Sequence, residues 1–379
     1  MIPIAKPYLT TDEAQSAYDT ILTGWVTQGP KVQEFEERFA AYVGAKYAVA
    51  VSSCTTALHL ALIIAGIGPG DEVICPSLSF IATANSIKYV GATPVFAEVN
   101  PETYNLDVND VEQRITERTK AILLVHQIGM PADIDAFATL CRKYHLQLIE
   151  DAACAAGSAY KARKIGSHSD LVCFSFHPRK VISTGDGGMI TTSNEEYARR
   201  LKLLRQHGMS VNDRIRHESK TVIIEDYLEV GYNYRMTDIQ AAVGIKQLEK
   251  LDWLVAERRK IAFRYLDALK DIECIRLPVE PKGCFSNYQS FSIYLRENCL
   301  ISRDEVMQTL LEAGIATRRG VMTIHRTNAY HAADHAVNLP ISEDVSDRSM
   351  IIPLFVPMAA QDVEHVVRQL RTIVTAQSG

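Results

Sequence analysis

The chain has 379 residues, 47% of them hydrophobic and 22% charged, with a formal net charge of −5. That length exceeds what one small core sustains, so a large domain and a smaller one are expected. No basic run invites nucleic acid or an anionic membrane surface, and no apolar stretch is long enough to span a bilayer.

The opening MIPIAKPYLT lacks the apolar core of a signal peptide, which points to a cytoplasmic protein. Residues 11–22 and 31–43 read as helices, with GWVTQGP as the loop between them and residues 47–51 as a short strand after them. Ser52-Ser53-Cys54-Thr55 then opens an apolar helix over 56–65. Free amides and the helix dipole at such a start favour a phosphate, although an ordinary Ser/Thr cap has the same pattern. The glycines of residues 66–70 follow a helix and precede a strand, the reverse of the order a dinucleotide fingerprint requires, so that reading is rejected.

Residues 72–75 form the next expected strand, and Phe80 stands at its strand-to-helix corner, either stacking on a planar ligand or buried in the core. Strand 94–97, helix 109–115, strand 121–125 and helix 134–144 continue an alternation that predicts a mostly parallel, covered sheet. His126, at the end of one such strand, reads as a structural histidine. Asp151 follows an apolar strand, at the carboxyl edge where open α/β sheets collect ligands, and could equally be a cap or an ion-pair partner.

Strand 171–174 leads through Ser175 to Lys180, which is followed by Gly185, Gly187 and Gly188. A confined lysine shifts readily toward the neutral amine that forms a Schiff base. After helix 195–206 comes a polar loop over 208–220, expected at the surface, then GYNYRMT and a long helix opened by Thr237 or Asp238. Strands at 275–277 and 288–295, with helices 303–312 and 360–374, read as an α+β cap. The division expected is residues 1–250 and 251–379. Eight cysteines without a CxxC pair fit reduced thiols better than disulfides or zinc, and no metal site is expected.

EDAACAAGS, SFHPRK with STGDGGMI, and GYNYRMTDIQAAVG together resemble the DegT/StrS family of nucleotide-sugar aminotransferases, a branch of the fold type I pyridoxal phosphate enzymes. The likeness runs from IPIAKPYLT to LPISEDVSDRSMIIPL. It implies an α/β fold with a large, mostly parallel sheet covered by helices and a smaller C-terminal α+β domain. It also implies pyridoxal 5′-phosphate held as a Schiff base on Lys180, with Asp151 facing the pyridinium nitrogen and Phe80 stacked on the ring. Cys54, Thr55 and Ser175 would bind the phosphate, and Asn233 would reach the phosphate of the neighbouring subunit, making the site a property of a homodimer. Cys154 departs from the glutamine or histidine that relatives set against the ring oxygen. Arg318, Arg319 and His325 lie where relatives build the sugar-nucleotide side. They are alternatively solvated charge.

The activity implied is transfer of an amino group from glutamate, through pyridoxamine phosphate, to a keto carbon of a nucleotide-linked sugar. Sugar dehydratases of the same fold replace the lysine by histidine, so Lys180 argues against that chemistry. A non-catalytic regulatory relative would have lost Lys180 or Asp151, or gained a DNA-binding segment.

Overall fold

In the computed structural model, residues 1–211, 219–331 and 337–375 are described. The first half alternates helices and strands: α1 (Thr11–Leu22), α2 (Pro30–Val43), β1 (Tyr47–Val51), α3 (Cys54–Ile64), β2 (Glu72–Pro76), α4 (Ala82–Tyr89), β3 (Thr93–Ala97), α5 (Val108–Gln113), β4 (Thr119–Val125), α6 (Ile134–Tyr144) and β5 (Gln147–Asp151). Two short strands, β6 (Ala159–Tyr160) and β7 (Arg163–Lys164), precede β8 (Leu171–Ser175), β9 (Gly188–Thr192) and α7 (Glu195–Leu204). Local chemistry sets many of these ends. Thr10 and Glu13 close a capping box on α1, while Pro30 opens α2 and Gly44, at φ 76°, ends it.

The seven-stranded sheet runs β1-β9-β8-β5-β4-β2-β3. Strands β3, β2, β4, β5 and β8 pair in parallel, and β9 runs antiparallel to both of its neighbours. Both faces are covered, as a parallel sheet requires. Adjacent residues of one strand therefore join opposite cores. Leu123 packs with Leu58 and Leu62 of α3, whereas Leu124 packs in the cluster of Phe39 from α2 and Phe137 from α6.

A single 32-residue helix, α8 (Asp238–Leu269), then crosses residue 250, so the expected division falls inside a continuous helix. Thr237 caps it and Gln240 completes the box. The remainder comprises β10 (Ile275–Arg276), β11 (Cys284–Phe285), β12 (Phe291–Leu295), α9 (Arg303–Glu312), β13 (Arg318–Arg319), α10 (Pro340–Arg348), β14 (Ser349–Ile352) and α11 (Ala360–Thr375). Strands β10-β12-β14-β13 form an antiparallel sheet, and β11 joins the β6–β7 hairpin. The N-terminal arm docks on this part, with the Ile2 amide donating to the Gly314 carbonyl at 2.7 Å.

One difference from the sequence reading has a local cause. β12 starts at Phe291 rather than residue 288, because Tyr288 takes a left-handed φ of 45° that no strand tolerates. The polar loop expected over 208–220 falls largely on residues 212–218, which lie outside the described residues. Gly66 and Gly70 occupy left-handed turns between α3 and β2, a helix-to-strand connection in which a dinucleotide fingerprint has no place.

Candidate active site

The carboxyl ends of the parallel strands meet at one edge, and four sequence elements arrive there. β1 feeds the start of α3, β2 feeds the Phe80 corner, β5 ends at Asp151, and β8 leads through Ser175 to Lys180.

At the start of α3, Ser53 Oγ accepts from the Thr56 amide at 3.2 Å, and Thr56 Oγ1 accepts from the Ser53 amide at 3.1 Å. This box satisfies the cap. The amides of Cys54 and Thr55 belong to the first turn, which offers them no helical acceptor. Gly188 lets β9 come close to them: a Cβ there would lie 2.4 Å from the Ser53 carbonyl oxygen and 2.7 Å from the Cys54 nitrogen. Ser175 pairs in register with Gly188, so its buried hydroxyl stands beside the same amides. Amides at a helix start plus a hydroxyl make a cradle for a phosphate. Burial, then the nearby Asp151, holds the Cys54 thiol well above its ordinary value, so it is neutral and does not repel an anion.

Asp151 is buried at the end of β5. Its Oδ1 accepts from the Ala153 amide at 3.1 Å, and its Oδ2 accepts from Thr83 Oγ1 at 3.3 Å, with Ser79 Oγ 2.8 Å behind Thr83. Burial raises the Asp151 carboxyl, and the Ala153 amide, Lys180 and Thr83 only partly offset it. A buried carboxylate under that strain suits a cationic partner. Thr83 and Ser79 were not singled out from sequence, although Thr83 sits three residues after Phe80 and so one helical turn from the corner. Phe80 is 64% exposed, which excludes the buried-core alternative and leaves its ring available as a stacking face.

Lys180 Nζ donates to Cys154 Sγ at 3.1 Å, the one side-chain hydrogen bond it makes among the described residues. Burial, the largest influence, pulls the Lys180 ammonium down, but Cys154, Cys54 and Asp151 outweigh it and leave the group raised. The expected drift toward the neutral amine is therefore reversed among the protein groups, because a sulfur acceptor and a carboxylate both favour the charged form. Asn287 fixes this sulfur's loop by donating to the Cys154 and Ala156 carbonyls at 2.8 Å each. Cys154→Ala is accordingly expected to lower the Lys180 ammonium. Visible absorption should then develop faster on adding pyridoxal phosphate at neutral pH, with the pH midpoint of that rate moved down. A midpoint unchanged in Cys154→Ala would remove the sulfur from this role.

Asn233 is exposed, with its backbone bridged to Gln206. Arg318 and Arg319 are exposed on β13, where neighbouring residues face opposite sides. His325 is a correction. It is buried, its Nε2 donates to the Glu343 carboxylate at 3.0 Å, and its Nδ1 accepts from the Ser77 hydroxyl at 2.5 Å. Both ring nitrogens are used, so it fastens α10 to the end of β2 and has no donor left for a diphosphate. His126 is structural as read: Nδ1 accepts from the Ala132 amide at 3.0 Å and Nε2 donates to Glu150 at 2.9 Å. All eight cysteines are free.

An amine, a buried acid near enough to influence it, an exposed aromatic face and a phosphate cradle form a donor set that fits pyridoxal phosphate. When bound, that group acts as an electron sink for the carbon attached to it. The known proteins agree. The profile of the DegT/DnrJ/EryC1/StrS aminotransferase family matches residues 7–371. An uncharacterised protein of Methanocaldococcus jannaschii is 37% identical over 381 aligned residues, covering 99% of this chain and 98% of that protein. The aminotransferase TlmJ of Streptoalloteichus hindustanus is 33% identical with both chains wholly covered and a TM-score of 0.92. Spr1654 of Streptococcus pneumoniae, solved in PMP and PLP forms, is 28% identical, with 99% of this chain and 100% of that chain covered and a TM-score of 0.94 in the PMP form. The chain belongs to the DegT/DnrJ/EryC1/StrS family, and it is a pyridoxal-phosphate-dependent aminotransferase of fold type I.

Proposed function

We propose that the protein takes an amino group from glutamate and places it on a keto carbon of a nucleotide-linked sugar, in the cytoplasm, as a homodimer with shared active sites. The observation that carries the reading is the Lys180 amine facing the same edge as buried Asp151 and the α3 phosphate cradle. Family likeness supports the sugar: Spr1654 is named as a candidate sugar aminotransferase, and a Helicobacter pylori neighbour is an aminotransferase of pseudoaminic acid biosynthesis.

In this reading Cys54, Thr55 and Ser175 bind the phosphate through two amides and a hydroxyl. Asp151 keeps the ring nitrogen protonated, Phe80 orients the ring, and Lys180 Nζ moves the proton between the substrate carbon and the cofactor. An assay of glutamate with a panel of nucleotide-linked keto sugars tests the whole reading. Formation of 2-oxoglutarate with none of them would reject the sugar acceptor.

The dimer is supported by a surface that a lone chain has no reason to display. Val222, Ile224 and Val230 are about nine-tenths exposed, and Tyr227 and Leu228 are more than half exposed, all just before Asn233. Exposed apolar side chains gathered in one segment, here interleaved with Glu225, Asp226 and Glu229, suit an interaction surface. Asn233→Ala is expected to weaken cofactor retention roughly tenfold by removing one hydrogen bond to a charged group. Equilibrium dialysis against pyridoxal phosphate checks it, and unchanged retention would place Asn233 outside the site.

A further inference from the structure

We propose that Arg179 and Arg318 together form an anion clamp at the rim of the Lys180 site, taking a carboxylate or phosphate oxyanion carried by a substrate. Arg179 precedes Lys180 in the chain and is exposed. Its backbone is fixed from both sides: its amide donates to His177 Nδ1 at 3.2 Å, and its carbonyl accepts from Gln289 Nε2 at 2.8 Å. Gln289 lies just ahead of β12, whose Ser292 pairs with Ile351 of β14, and Ile351 pairs in turn with Arg318. Arg318 thus lies two strands, about 10 Å, from the start of β12, a span two extended guanidinium arms can bridge. Beyond β13 the chain runs to the Phe80 corner, where the Met322 carbonyl accepts from the Ser79 amide at 3.0 Å. The Arg318 segment therefore borders the same opening as Lys180 and Phe80.

The Arg318 guanidinium is near enough for its charge to reach Arg179. Partial burial, then the Arg318 charge, pulls the Arg179 guanidinium below its ordinary value. Neither side chain makes an ion pair or a hydrogen bond among the described residues. Most other arginines here do, Arg199 with Glu196, Arg259 with Glu280 and Arg326 with Asp347 among them. Two like charges held together without a carboxylate are unfavourable alone and become favourable around an oxyanion, which guanidinium groups bind in a bidentate way. Arg319, one residue on, faces the other side of β13.

The inference rests on the proposed reaction for its two sources of anion. Glutamate brings a side-chain carboxylate, and the nucleotide-linked sugar brings a diphosphate. The test uses the full-length protein loaded with pyridoxal phosphate, as parent, Arg179→Gln, Arg318→Gln and the double variant. One arm follows the cofactor's absorption against glutamate concentration. The other measures inorganic pyrophosphate binding by calorimetry. Each single variant is expected to raise the half-saturating concentration about tenfold in the arm that reports the true source, with the double variant affected in the same arm. Loss with glutamate assigns the donor carboxylate, and loss with pyrophosphate assigns the diphosphate. Arg326→Gln, on an arginine already paired with Asp347, should change neither arm. No change in either arm overturns the clamp, as does a parent that responds to neither probe or an equal loss in Arg326→Gln. A parent that ignores glutamate but binds pyrophosphate contradicts the proposed donor while still testing the clamp.

Discussion

Replacing Lys180 by alanine is expected to abolish turnover and leave the fold in place. The side chain is only partly buried, and its one hydrogen bond goes to Cys154, so its removal leaves no core cavity. The backbone bond from the Lys180 amide to the His177 carbonyl, 2.8 Å, is retained. Losing a positioned proton-transfer group costs about 10²–10⁴-fold by itself. The same nitrogen is also the attachment point for the cofactor, so the loss should reach the detection limit. Single-turnover absorption with glutamate and a melting curve on the same sample decide the point. Measurable turnover at unchanged Tm would refute Lys180 as the catalytic amine.

Asp151→Asn separates stability from activity. Burial holds the Asp151 carboxyl above its ordinary value, so its ionised form is what the fold pays for. A raised carboxyl contributes stability while protonated, at low pH, and loses it as the pH climbs from the ordinary carboxylate value through the raised one. At neutral pH the buried charge is a net cost until a cationic ring stands opposite it. The amide keeps an acceptor for the Ala153 amide, and the Thr83 hydroxyl can reverse to accept from the new NH₂ group. The cofactor-free variant should therefore melt higher than the parent at pH 7, and the two should converge at low pH. Turnover should fall about 10²–10³-fold, the usual consequence of removing one electrostatic partner of the reacting centre. A lower Tm for the cofactor-free Asp151→Asn protein would contradict this account of the carboxylate.

Lys180, Asp151 and the start of α3 were legible in the sequence because each depends on a short local pattern: an apolar strand, then a polar residue at its end. Sheet order then brings such ends together without needing any long-range pair to be guessed. Phe80 was ambiguous because stacking and core burial use the same residue at the same corner, and only tertiary packing shows its ring exposed. His325 was misread because its partner Ser77 lies 248 positions away, and no local signal links a β2 end to that segment. Arg179 passed unnoticed between a conspicuous proline and the lysine. Its meaning depends on β13 pairing with β14. α10 and β14 have no separate signal in the sequence, since LPISEDVSDRSMII joins a short helix directly to a four-residue strand with no glycine or turn between them.

If Lys180 and its surroundings hold pyridoxal phosphate for amino transfer, the visible absorption spectrum of the purified protein reports it, recorded before and after adding glutamate. A yellow band is expected in the purified protein, and it should shift when glutamate is added, as the amino group passes to the cofactor. A protein that stays colourless even after pyridoxal phosphate is supplied would show that Lys180 does not hold the cofactor.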